Sequence, residues 1–317
     1  MNFSIILKGM AMGIAEAIPG VSGGTIAFIT GIYERLLAAI GGILGPDVIG
    51  AGRRDGFAAA WAAADGGFIL QLGIGMVTGL GIAVLAITEL LEMYPPIVWA
   101  FFFGLIVASA VYIGRQITNW NVTAVALLVV GTVLAFWLTT INPMAGSDNP
   151  LLVFLAGAIA ISALILPGIS GSFILLLLGM YAVVLTAVRN VSDGSALITV
   201  GVFALGCLVG LAVFSRVITY TFKTYPNQTM ALLTGFMLGS LRTLWPWQNV
   251  LSTRSNSHGE EVPMLKQPVM PGSYEGENTY LTGVIIAVVL GLVIVFLMDR
   301  FAPPAKEEAR LIPERQD

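Results

Sequence analysis

The chain has 317 residues, of which 57% are hydrophobic and 10% charged, and its formal net charge at neutral pH is −3. A water-facing surface needs roughly 25% charged residues and a nucleic-acid partner needs a basic face, so a soluble domain and a nucleic-acid binder are both excluded. Cys207 and His258 are each alone of their kind. That leaves no disulfide framework, no metal site of cysteines or histidines, no catalytic histidine inside an apolar segment, and no expected cofactor.

Apolar runs recur along the whole length, each matching the roughly 20 residues that a bilayer core requires. Barrel strands would appear as short alternating segments, and none is visible, so the expected fold class is an all-α polytopic membrane protein. The first apolar segment has Lys8 near its start and no small-residue cleavage pattern, which places it in the mature fold rather than in a signal peptide. It is interrupted by AIPGVSGGTIAF, residues 17–28. Its two arms, 3–18 and 25–40, are each roughly 24 Å of helix, short of a core of about 30 Å. A re-entrant hairpin over about 3–40 is expected, followed by three spans near 68–91, 96–113 and 122–141. The same order then returns: a second hairpin over about 151–188, broken by ILPGISGSFILL (165–176), and spans near 196–222, 229–244 and 280–298. A polar tail begins at about 300.

The return is a repeat. Pro19, Gly20, Ser22, Gly23, Gly31 and Tyr33 align with Pro167, Gly168, Ser170, Gly171, Gly179 and Tyr181 at an offset of 148. Gly75, Gly79, Tyr94, Pro95, Gly104 and Ser109 align with Gly206, Gly210, Tyr225, Pro226, Gly235 and Ser240 at an offset of 131. The difference fits a longer first-half loop around GPDVIGAGRRDGFAAA. The chain therefore divides into repeats 1–142 and 143–317 within one membrane domain. A hairpin returns to the side it entered from, and three spans are an odd number, so the repeats have opposite orientation, as in many transporters. Cytoplasmic segments are enriched in Lys and Arg. Arg300, Lys306, Arg310 and Arg315 place the C-terminus in the cytoplasm, and Lys8 places the N-terminus there too. Counting back puts Arg53, Arg54, Arg115 and Lys223 on that side and the acidic loop of about 246–279 outside.

Pro19 and Pro167 end the first arms, while Gly20, Gly23, Gly24, Gly168 and Gly171 let the chain reverse and let another group approach the backbone. Ser22, Thr25, Ser170 and Ser172 are natural caps for the second arms. Helix starts at mid-membrane depth offer unpaired N–H groups to an anion, so the two motifs predict a polar site where two N-termini converge. The alternative is a close helix crossing cushioned by small residues. Ionisable residues inside the membrane are functional candidates by default. Glu16, one turn before Pro19, is either a gate or proton-carrying carboxylate, or a cap on nearby backbone N–H groups; its counterpart is Leu164. Arg216 and Arg242 suit phosphate through the planar guanidinium fork, or else reach toward a membrane face. Arg35, Arg189, Glu34 and Glu89 lie nearer segment ends and are read as interfacial.

GMAMGIAEAIPGVSGGTIAFITGIYERLL (9–37) and LPGISGSFILLLLGMY (166–181) resemble the paired signatures of the polyprenyl-phosphate transporter family, long catalogued as a domain of unknown function. The resemblance covers nearly the whole chain. It implies a cytoplasmic-membrane flippase that returns undecaprenyl phosphate, or a related polyprenyl phosphate, from the outer to the inner leaflet for surface-glycan synthesis, among membrane lipids; the reading of Glu16 adds a proton, or else a sodium ion, as coupling ion. Membrane polyprenyl-pyrophosphate phosphatases share inverted repeats and a PG-x-S-R-S-G stretch. Here Gly23 and Gly171 stand where that arginine would be, and Met12 stands where a second glutamate would pair with Glu16. Hydrolysis is the second reading and a small-anion channel or exchanger the third.

Overall fold

The computed structural model describes residues 2–16, 22–43, 45–141, 144, 146–255 and 261–301. Pro19, Gly20, His258, Glu260 and the tail cations Lys306, Arg310 and Arg315 lie outside the described residues. The first half contains α1 (Phe3–Glu16), α2 (Gly23–Ile29), α3 (Tyr33–Gly42), α4 (Pro46–Asp55), α5 (Phe57–Ala63), α6 (Gly66–Met93), α7 (Pro95–Gln116) and α8 (Val122–Leu138). The second contains α9 (Pro150–Ile165), α10 (Gly171–Leu177), α11 (Met180–Arg189), α12 (Gly194–Thr224), α13 (Pro226–Ser240) and α14 (Leu281–Phe301). A 3₁₀ turn, Leu241–Leu244, follows α13, and two strands, β1 (Gln248–Ser255) and β2 (Glu261–Pro268), lie between it and α14.

Local chemistry explains the boundaries. Tyr94 and Tyr225 take nearly the same backbone conformation, and each is followed by a proline in the first turn of the next helix. Proline fits there because the first N–H groups of a helix have no partner within it. Asn121 and Asn149 cap α8 and α9 through their side chains, and Asp193 caps α12. The described residues hold three helices long and apolar enough to cross a membrane alone, in α6, α7 and α12. α8, α9 and the apolar stretch of α14 are shorter; the 17 residues of α8 measure about 25 Å. The chain is a multi-pass membrane protein.

Helices pair along their lengths: α1 with α6, α9 with α12, α7 with α14 and α8 with α13. Glycine permits each pairing by close approach. A Cβ built on Gly13 would stand 2.0 Å from the Met76 carbonyl oxygen, and one on Gly206 would stand 2.1 Å from that of Phe154. The same holds for Gly291 against Phe101 and Gly235 against Leu128, both at 2.2 Å. In the middle lies α2, all of whose residues are buried; its Ile26, Ile29 and Phe28 share one core with Ile106 of α7 and Val295 of α14.

Three features depart from the sequence expectation. The second arm of each broken segment is not one helix: α2 and α3 meet at 119°, and α10 and α11 at 109°. Gly31 and Gly179 make these bends at φ values of 76° and 70°, a region that costs other residues roughly 1–2 kcal/mol. The fold is also not purely helical, because β1 and β2 pair antiparallel in the expected external loop. That hairpin is held by indole donors, Trp245 Nε1 to the Val269 carbonyl and Trp247 Nε1 to that of Thr279, and by the Lys266 ammonium over the Trp99 ring. Finally, the long first-half loop folds into α4 and α5, in which no residue is buried.

Candidate functional site

Ser22 takes the extended conformation of a cap, and its hydroxyl accepts the Gly24 N–H at 3.1 Å. The same hydroxyl donates to the Leu164 carbonyl at 2.9 Å, across the interior to the end of α9. One turn on, Thr25 Oγ1 accepts the Gly168 N–H at 3.1 Å, and the Tyr33 hydroxyl donates to the Ile165 carbonyl at 3.2 Å. Ser22, Thr25 and Tyr33 are all buried. The residues around the first break thus satisfy backbone groups freed at the second, where α9 ends before Pro167. Buried backbone groups need such partners, and here they come from the other half of the chain.

Two glycines make the contact possible. A Cβ on Gly24 would stand 2.4 Å from the Ile165 carbonyl oxygen. Gly168 has φ 84° and packs on the Met237 backbone of α13, so a side chain there would meet both strain and a clash.

Glu16 ends α1 and is half-buried. Its Oε1 accepts the Gly23 N–H at 2.5 Å, so the carboxylate sits on the first turn of α2. The second half does not reproduce this. Leu164 stands in the equivalent place, and Ser170, buried at the cap of α10, makes no capping bond through its side chain. Its hydroxyl pairs instead with that of Ser172 at 2.8 Å, and Ser172 is exposed. Thr25 and Ser172 lie within the helices rather than at their caps.

Beside the second tip is a cavity of about 20 Å³ lined by Gly168, Ser170, Thr139, Ser240 and Thr243. A void of that size has room for a water molecule. Arg242 stands next to it: Nη1 donates to the Thr139 carbonyl at 3.1 Å and the guanidinium lies 5.6 Å from the Phe136 ring centre. A cation at the end of α8 also suits the helix dipole. The fold therefore gathers Ser22, Gly24, Thr25, Gly168 and Ser170, with Glu16 and Gly23 on one flank and Arg242 on the other. Arg216 is elsewhere: it is exposed on α12, its stem beside Gly41 near the end of α3. Arg35 pairs with Asp65 at 2.7 Å. No group of three or more metal-ligating side chains occurs among the described residues.

Sequence reasoning did not single out Tyr33, Thr139, Ser240 or Thr243 for the site. Tyr33 and Ser240 stood in the repeat alignment opposite Tyr181 and Ser109, and that pairing was the available signal. Thr139 and Thr243 carried none, since a threonine at a helix end usually satisfies its own backbone, as both do here.

Fold and site together define a multi-pass helical membrane protein whose two interrupted segments meet in its interior. The chain belongs to the undecaprenyl phosphate translocase-like family, which it matches over residues 12–262. It is 42% identical over 299 residues to a polyprenyl-phosphate transporter of Vibrio cholerae serotype O1, covering 94% of this chain and 96% of that protein. It is 33% identical over 258 residues to a polyprenyl-phosphate transporter of Staphylococcus aureus, covering 76% and 85%. No solved structure matches the chain.

Proposed function

We propose that the protein carries undecaprenyl phosphate, or a related polyprenyl phosphate, from the outer to the inner leaflet of the cytoplasmic membrane, where the lipid is reused for cell-envelope glycans. The observation that carries this reading is the bond from the Gly168 N–H to Thr25 Oγ1. It ties the two interrupted segments together at one buried place, in a chain whose relatives are named for transport of this lipid.

In this reading the chain is two inverted repeats, 1–142 and 143–317, each a re-entrant hairpin followed by three spans, with both termini cytoplasmic. The paired packing of α1 on α6 and α9 on α12 supports it, as do the matching bends at Gly31 and Gly179. The headgroup is held by N–H and hydroxyl groups of Ser22, Gly23, Gly24 and Thr25 from one side and Ser170, Gly171 and Ser172 from the other. Arg242, and Arg216 if α12 shifts, supply positive charge. In the present arrangement Ser22, Gly23, Gly24 and Thr25 at the start of α2 already have protein partners, and the adjoining cavity is far too small for a phosphate. The headgroup therefore enters when the tips and the ends of α8 and α13 part. Glu16 and a phosphate compete for the same α2 N–H groups, so binding and release couple to Glu16 protonation or to a sodium ion that neutralises it. Phosphoryl transfer is not part of the reading. The Ser22 hydroxyl donates to a carbonyl rather than to a base, and a serine nucleophile needs a base.

The test is reconstitution in liposomes with a labelled polyprenyl phosphate. Movement between leaflets is expected, with no phosphate released from a polyprenyl pyrophosphate. The double variant Ser170→Ala/Ser172→Ala removes hydrogen bonds to a charged group worth about 1.5–3 kcal/mol each, so lipid binding should weaken at least tenfold. Phosphate release that depends on Ser22 or Ser170 would replace the transporter with the enzyme.

A further inference from the structure

The 17-residue insertion that breaks the repeat occurs in the first half of the chain only. It forms α4 and α5, a short helical hairpin joined by Gly56 at φ 82°. Its residues face outward: Phe57 is 80% exposed, Ile49 45% and Trp61 42%. Asp47 stands at the first turn of α4 and Arg53 and Arg54 at the last, the order that complements a helix dipole; Asp55 follows the pair. A Cβ on Gly52 would stand 3.3 Å from that of Ala60. That contact packs the end of α4 on the middle of α5, so Arg53, Arg54 and Trp61 belong to one short hairpin.

Trp61 is not loose. Its indole lies over Gly66, where a Cβ would come within 2.3 Å of the ring. From there it forms one wall of an open groove of about 530 Å³ that continues down α6 past Leu70, Gly73, Ile74, Val77 and Thr78. The groove runs along the face of α6 opposite the one that Gly75 and Gly79 press onto α1. Nothing approaches a Cβ placed on Gly73. From residue 69 to 78 the groove spans about 14 Å of helix, close to half of a 30 Å core, the depth of one leaflet.

An apolar groove one leaflet deep, walled by Trp61, with two exposed arginines on the same short hairpin as that indole, has the shape and charge of a lipid site. We propose that α4, α5 and the first half of α6 bind an anionic phospholipid, its headgroup phosphate at Arg53 and Arg54 and one acyl chain in the groove beside Trp61. The groove lies on the outer face of α6, away from the junction of the two tips, which favours a resident phospholipid over the transported lipid. Only the identity of the leaflet, cytoplasmic in the layout above, rests on the proposed function.

The test uses the full chain in nanodiscs of phosphatidylcholine with an increasing fraction of phosphatidylglycerol, with retained lipid counted by native mass spectrometry. Phosphatidylglycerol should be retained over phosphatidylcholine. Arg53→Gln/Arg54→Gln should weaken that retention about thirtyfold, the effect of two basic residues at an anionic surface, and leave the melting temperature in pure phosphatidylcholine unchanged. Brominated phosphatidylglycerol should quench a component of tryptophan fluorescence that Trp61→Phe removes and that Gly73→Phe, which fills the groove, diminishes. These readouts do not involve leaflet exchange, so they separate failure of this site from failure of the transport reading. Equal retention of the two phospholipids, insensitivity to the arginine substitutions, or preferential occupation of the groove by polyprenyl phosphate would each overturn the proposal.

Discussion

Thr25→Val is the most direct probe of the junction. Valine keeps the shape and branching of threonine, so packing around this fully buried residue is retained. What is lost is the acceptor for the Gly168 N–H. A buried donor left without a partner costs about 1–3 kcal/mol. Gly168 cannot readily turn to find another, because its backbone lies against Met237 at a positive φ. Opening between the tips should therefore become about 5- to 150-fold more frequent. Hydrogen exchange of the peptide containing Gly168, followed by mass spectrometry in detergent, reads this directly, and Thr25→Ser should restore protection. Combination with Ser22→Ala, which removes the bond to Leu164, should be non-additive if both bonds close the same contact. Wild-type protection of Gly168 in Thr25→Val would refute the idea that these hydroxyls hold the two halves together.

Three further outcomes are expected. Glu16→Gln keeps an oxygen for the Gly23 N–H, so the protein should fold normally while flipping in liposomes loses its response to an imposed proton gradient; an unchanged response would reduce Glu16 to a cap. Gly179→Ala should cost about 1–2 kcal/mol through its positive φ and lower the melting temperature, whereas Gly179→Asn, which tolerates that region, should cost less. In a Cys207→Ser background, a cysteine at exposed Glu277 should react with an impermeant reagent outside intact cells and one at Asp55 should not. Reaction of both from outside would dismiss the inverted layout.

The continuous helices were legible because one residue type carried each signal. Apolar windows gave their extent and placed the α6–α7 and α12–α13 corners to within two or three residues. The bends at Gly31 and Gly179 were within reach, since the repeat alignment paired these glycines, but a lone glycine between apolar residues does not announce a positive φ. The strands escaped because β1 and β2 have no regular apolar alternation and are pinned by distant indoles rather than by their own pattern. At the site, Ser22 was recognisable as a cap from its neighbours. Its second bond was not, because Leu164 contributes only a carbonyl, which every residue has. The difference between the two tips follows from one substitution visible in the alignment, Glu16 against Leu164; its consequence needed coordinates to see where the carboxylate points.

The glycine contacts within the four long helix pairs bear on how such a molecule can move. Where one backbone rests directly on another, no side chain lies between them to change rotamer and take up a sliding motion, and any relative shift drives atoms into a carbonyl. Each pair is thus a stiff strut with almost no internal freedom. Displacement has to be taken up at the joints between struts: the tip junction, the bends at Gly31 and Gly179, and the Tyr-Pro corners. A transport cycle built on this frame has few hinges, and crosslinks placed within a strut should leave it running while a single crosslink across the tips should stop it.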